Sequence, residues 1–350
     1  MKSMRSLPTL AAVAVLAGCQ SAPMPPDPTG RASADMQRVL TAYQASGAKS
    51  VAMLTVDQAR SQPSPGDAAA AVAQQIGVVA KQPVAKIMAI QVRGAAGMLP
   101  ARVYDPQLAS GPAPVILYFH GGGWVIGDLD TYDASDRELA NGTGAIVVSV
   151  QYRLAPENKF PAAQDDADAA YNWLLQNAGT LGGNPRKIAL AGESAGGNLA
   201  VDTAIWARDK SLPAPVAELL VYPVAGTDVN TPSYKETTNA VPLNRAAILW
   251  YVGHFTNGPA DLKDPRLNVV GAADLHGLPP TTIVSAEIDP LRSEGEVLAQ
   301  KLQAAGVPVQ QRTFPGVTHE FFGMGAVVTQ AKEAEDFATM RLKVAFMRQP

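Results

Sequence analysis

Gly192-Glu193-Ser194-Ala195-Gly196 constrains this chain more than any other segment. It follows a strand-like run at 187–191 and opens a helical pattern over 195–208. A sharp strand-to-helix turn holds its middle serine in a strained backbone conformation. It also presses the flanking positions against neighbouring chain, where a residue without a Cβ fits most easily. Such pentapeptides arise readily in a chain with 30 glycines. The strand–turn–helix setting separates this one from an ordinary glycine turn and makes Ser194 a candidate nucleophile.

The rest of the chain agrees with that setting. Short apolar runs recur at 114–119, 145–150, 188–191, 218–222 and 281–285, with helical patterns at 162–176 and 195–208. Continuous apolar strands alternating with helices predict an α/β fold, with a mostly parallel central sheet flanked by helices. Strand-like runs at 84–92 and 99–104 flank a Gly94–Gly97 turn region and predict a hairpin. Before them, Met36, Val39, Leu40 and Tyr43 have helical spacing. The Ala-rich stretch 48–83, broken by Pro63 and Pro65, reads as a second helix pair. Residues 225–262 interrupt the rhythm as an insertion, and 327–347 read as a closing helix. At 350 residues, this is one elaborated domain without internal repeats.

His120-Gly121-Gly122-Gly123-Trp124 directly follows a predicted strand. Glycines there let backbone N–H groups face a cavity, and the N–H groups of Gly121, Gly122 and Ala195 are candidates to stabilise an oxyanion. A phosphate cradle fits poorly. G-x-G-x-x-G fails at Trp124 and Ile126, and a Walker-like reading of Gly192–Gly197 meets Asn198 instead of Lys. A serine nucleophile needs a base, and the chain has four histidines. His120 belongs to the glycine loop, His254 to the insertion and His276 to a polar stretch before two prolines. In α/β hydrolases the chain order is Ser, acid, His, and His319 stands in a loop after the strand-like run 309–314. His319-Glu320 begins like H-E-x-x-H, but Gly323 ends that reading, and no metal site is expected. For the acid, Glu287 and Asp289 both follow the strand at 281–285. Pro290 slightly favours Asp289 as the loop-tip residue.

Five motifs in order resemble the bacterial hormone-sensitive-lipase-like (family IV) esterases of the α/β-hydrolase superfamily, over about residues 55 to 345. They are His120–Gly123, Tyr152-Arg-Leu-Ala-Pro-Glu157 with Phe160-Pro-Ala162, Gly192–Gly197, Asp289-Pro-Leu-Arg292, and His319 before Phe321-Phe322. The resemblance implies Ser194 as nucleophile, Asp289 as acid and His319 as base. It also implies a helical cap built from about 31–83 and the 225–262 insertion, and structural roles for 152–157 and Asp166. The activity it implies is a carboxylesterase (EC 3.1.1 type) acting on small-molecule esters with short to medium acyl groups, without a cofactor. An amidase or carbamate hydrolase would use the same residues, and a non-catalytic binding lipoprotein is the remote alternative. Trp124, Trp250, Tyr251 and His254 are candidate pocket residues. Gln151 and Ser293 stand where the family usually has Asp, which bears on the cap and on substrate preference rather than on the triad.

The N-terminus points to where the enzyme works. Lys2 and Arg5 precede an uncharged apolar stretch at 7–17, too short to span a bilayer. It ends in Leu16-Ala17-Gly18-Cys19, which resembles the lipobox of bacterial lipoproteins. The resemblance implies cleavage of a signal at 1–18 and lipidation of Cys19, the only cysteine, which also rules out an intrachain disulfide. Residues 19–30, with Pro23, Pro25, Pro26 and Pro28, read as an extended tether before the domain at 31–350. The expected location is the cell envelope, lipid-anchored. Gln20 leans toward the outer membrane, on its periplasmic side or at the extracellular surface. With 28 Lys+Arg against 31 Asp+Glu, no basic surplus favours nucleic acid.

Overall fold

The computed structural model describes residues 27–348. Residues 1–18, Cys19 and the first part of the expected tether lie outside them. Residues 27–30, expected to be extended, form a turn. Buried Asp27 accepts hydrogen bonds from the N–H groups of Thr29, Arg31 and Ala32, so this part of the expected tether is packed.

Eight strands form one sheet: β1 Lys86–Arg93, β2 Met98–Asp105, β3 Ala113–Phe119, β4 Ile146–Val150, β5 Gly183–Glu193, β6 Glu218–Val221, β7 Thr281–Ile288 and β8 Val309–Thr318. Their order is β1-β2-β4-β3-β5-β6-β7-β8. The β1–β2 hairpin and the β2–β4 pair are antiparallel, and all other pairs are parallel. This is the predicted mostly parallel sheet with helices on both faces. The two-residue period of a strand divides the core. Val115, Leu117, Phe119, Leu190 and Leu220 face one side, with the helices Ala162–Asn177, Ala195–Asp209 and Arg292–Ala304. Ile116, Tyr118, Ala189, Ala191 and Leu219 face the other, with Ala34–Ala45, Asp133–Thr143 and Thr329–Arg348. Central strands covered twice can be apolar throughout, and β4 is buried along its whole length.

The stretch 48–83 forms the expected helix pair, preceded by a short 3₁₀ turn. It holds a 3₁₀ turn Val51–Met53 and helices Val56–Ser61 and Pro65–Ile76. Thr55 with Gln58, and Ser64 with Asp67, form capping boxes that restart the chain after each interruption. The segment between β6 and β7 carries helices Pro232–Glu236, Arg245–Phe255 and Val269–Ala272, the last lying beyond the expected insertion. Val51 and Ala59 from the first stretch share an apolar cluster with Tyr234, Leu243 and Ala247 from the second, and with Leu291 just after β7.

Candidate active site

β5 ends at Glu193, and the helix Ala195–Asp209 begins two residues later. Ser194 fills the joint at φ 56 and ψ −115, a left-handed conformation that costs a non-glycine residue on the order of 1–3 kcal/mol. Its N–H donates to the Val221 carbonyl on β6 at 2.8 Å, which ties the turn to the next strand. A Cβ at Gly196 would run into the backbone carbonyls of Phe119 and His120, so glycine there lets the helix start beside β3.

His319 follows directly on β8, and Asp289 directly on β7. His319 Nε2 lies 3.0 Å from Ser194 Oγ, and its Nδ1 lies 2.7 Å from Asp289 Oδ2. The other Asp289 oxygen accepts the Leu291 N–H at 2.8 Å, which fixes the carboxylate. All three side chains are buried, and the Tyr222 ring packs on the imidazole at 4.4 Å between centroids. Glu287, the other acid considered, instead accepts from the Gly316 N–H at 2.8 Å, and Arg31 lies 3.8 Å from it. Burial alone would lower the His319 pKa. The Asp289 charge and hydrogen bond, helped by Glu320 and Glu193, outweigh it and hold the imidazole above its ordinary value. Glu193 is buried behind the serine, where desolvation and the Glu320 charge push it up to about 7.

The glycine loop leaves β3 and passes beside the serine turn. Gly122 has φ 92, and a side chain there would strike the Ile126 carbonyl. The Tyr152 hydroxyl donates to the His120 carbonyl at 2.8 Å, and His120 stacks on the Tyr152 ring at 4.3 Å. Among the described residues, no acceptor engages the N–H groups of Gly121, Gly122 or Ala195. Arg153 and Asp166, 2.7 Å apart, brace the chain after β4.

A family model described as alpha/beta hydrolase fold matches residues 116–323, more than half of the chain and the span from β3 to just past His319. The chain belongs to the α/β-hydrolase fold family. Carboxylesterase NlhH from Mycobacterium tuberculosis is 44% identical over 251 residues, 71% of this chain and 78% of that protein. Ethyl acetate hydrolase from Pseudomonas putida is 37% identical over 241 residues, 67% of this chain and 75% of that one. The solved structure of a hyperthermophilic esterase from the archaeon Pyrobaculum calidifontis superposes with a TM-score of 0.78 at 36% identity, over 85% of this chain and 95% of that one. With these relatives, this α/β hydrolase is a carboxylesterase that resembles the hormone-sensitive-lipase-like group.

In this hydrolase a cavity of about 220 Å³ opens at Ser194 and His319. Gly122, Gly123, Trp124 and Tyr251 line it, while Trp250 and His254 do not, a correction to the sequence reading. The Trp250 indole donates to the Leu54 carbonyl at 3.1 Å, and His254 packs on the Trp250 ring at 4.3 Å. The Trp250 side chain thus joins the helix Arg245–Phe255 to the N-terminal stretch, and His254 packs back on its own helix. Phe255 is core, stacked on Trp124 at 4.2 Å. The cavity wall otherwise includes Val51, Val224, Leu243 and Ile248, with Tyr43, Tyr132 and Glu320 as polar members that the sequence reading did not single out. Glu320 is adjacent to His319 in sequence, and only the fold shows that its side chain shares the cavity.

Proposed function

We propose that this carboxylesterase cleaves short to medium acyl esters through Ser194, His319 and Asp289 and an acyl-enzyme. The observation that carries this reading is the unbroken relay of 2.7 Å and 3.0 Å from Asp289 through His319 to Ser194, opening into the cavity beside Gly122. His319 Nε2 takes the Ser194 proton as Oγ attacks the ester carbonyl. Negative charge gathers on the carbonyl oxygen, which the N–H groups of Gly121, Gly122 and Ala195 receive. His319 then protonates the leaving alcohol, and water repeats the cycle on the acyl-enzyme. Asp289 holds the imidazole tautomer and balances its transient charge.

Size selection in this reading falls to a cap made of the helices before β1 and those between β6 and β7. Their shared apolar cluster spans the carboxyl ends of β3 and β7 and leaves room for a small ligand. Pseudomonas putida ethyl acetate hydrolase, named for a short ester, supports the same range. We further propose lipid anchoring through Cys19 in the cell envelope, supported by the lipobox-like run before it. Purified protein lacking residues 1–19 should hydrolyse p-nitrophenyl acetate to hexanoate faster than the palmitate. Ser194→Ala should lose nearly all turnover with unchanged circular dichroism. Unchanged turnover in that variant, or a maximum at palmitate, would overturn the reading.

A further inference from the structure

Glu320 is an unusual residue to find beside the reacting atoms. It has φ 68, a left-handed conformation that a glutamate adopts at a cost, and its side chain lines the Ser194 cavity. Its Oε1 accepts the Tyr132 hydroxyl at 2.8 Å, which fixes that oxygen, and the same oxygen lies 3.8 Å from His319 Nε2. That separation is too long for a good direct hydrogen bond. It is suited to one water bonded at ordinary length to both atoms.

A second cavity, of about 60 Å³, is also walled by Tyr132 and Glu320. The two cavities share Ser64, Thr131, Tyr132 and Glu320 in their walls. The wall of the second mixes polar Asp67, Lys81, Asp130 and Ser135 with apolar Phe322, Met324 and Val327, and it has room for a few waters. While an acyl chain fills the main cavity, this side still offers water a place against Tyr132 and Glu320.

We infer that Glu320, held by Tyr132, positions the hydrolytic water for deacylation, and that the second cavity supplies it. This rests on the acyl-enzyme reading proposed above. Once Ser194 Oγ is acylated, Nε2 is free to accept one hydrogen of the water, and Glu320 Oε1 accepts the other. The water oxygen forms a bond to the acyl carbon, and its proton passes to Nε2. The bond from that carbon to Oγ then breaks, Oγ takes the proton from Nε2, and the carboxylic acid leaves. Glu320 orients the water and exchanges no proton in the step. Acylation places the substrate's own ester in the site and has no need of this water, so the two half-reactions separate.

Stopped-flow hydrolysis of p-nitrophenyl acetate by the full chain tests the inference. In Glu320→Ala the initial burst of p-nitrophenol should keep its rate within about threefold, while the steady state slows on the order of 10- to 100-fold. Acetylated Ser194 should accumulate by mass spectrometry. Added methanol should capture a larger share of the acyl group than in the parent enzyme. Glu320→Gln, which keeps an acceptor oxygen, and Tyr132→Phe should shift the same balance in smaller steps, and they carry the test if the alanine variant does not fold. Burst and steady state falling together, or methanol partition staying at the parent value, would overturn the role of Glu320. No acetyl-Ser194 in any protein, the parent included, would instead overturn the acyl-enzyme reading beneath it.

Discussion

To act as the base in the proposed mechanism His319 must be neutral, and its neighbours decide the pH at which it becomes so. Its pKa is held above 6.5, because Asp289, Glu320 and Glu193 outweigh the opposite effect of burial. A raised pKa keeps the imidazole protonated to higher pH, so the active base form fills only as pH climbs through that value. The acidic limb of kcat/KM is therefore expected above pH 6.5, read from a pH–rate profile. Asp289→Asn removes the main raising influence. It should move that limb toward acid while cutting kcat on the order of 10⁴-fold, and a limb that stayed in place would assign it to another group. His120, the other buried histidine near the site, is pushed down to about 4 by burial and stays neutral across the same range. Ser194 stood out in the sequence because its turn demands glycines at fixed positions, which no other residue type supplies. Trp250 and His254 were misread because helical spacing gives a face but not the neighbour that face meets. Glu320 was hidden because a left-handed φ at a non-glycine residue leaves no mark in the sequence.

At the scale of elements, the carboxyl ends of the strands need the N-terminal stretch held in place. Arg60, on the helix Val56–Ser61, makes much of that connection. Its guanidinium donates to both Glu157 oxygens at 2.7 and 2.8 Å, to the Val125 carbonyl at 2.9 Å and to the Ala155 carbonyl at 2.8 Å. The Arg60 hydrogen bond is the chief reason that Glu157, itself largely exposed, is lowered to about 2. Val125 lies just beyond the glycine loop, so one side chain couples the helix Val56–Ser61 to that loop. Arg60→Ala should cost about 1–3 kcal/mol in thermal unfolding and lower kcat more than it raises KM. Arg60→Lys keeps the charge without the planar fork and should recover only part of either. A stable variant with parent kinetics would refute the coupling. The parallel sheet was legible because strands covered on both faces are apolar throughout. The helix Asp133–Thr143 was not, because it buries Asp133, Ser135 and Asp136 beside Leu139 and Ala140 and shows no apolar stripe. Arg292–Ala304 was hidden similarly, with Gly295 in its first turn and little apolar surface beyond Leu298, Ala299 and Leu302.

At the scale of the whole molecule, the proposed lipid anchor at Cys19 predicts where the enzyme is found. Among the described residues no helix is long and apolar enough to cross a bilayer. The formal charge of −3 offers little electrostatic attraction to anionic lipid. Adhesion would then rest on acyl chains at Cys19, each buried methylene contributing about 0.8 kcal/mol. The Asp27 carboxylate caps the turn leading to the first helix through the N–H groups of Thr29, Arg31 and Ala32. Cys19→Ala expressed with its leader should therefore move the enzyme from the membrane to the soluble fraction of fractionated envelopes. Its kcat and KM on soluble p-nitrophenyl esters should match the parent. If the variant stays with the membranes, the lipid anchor at Cys19 is wrong.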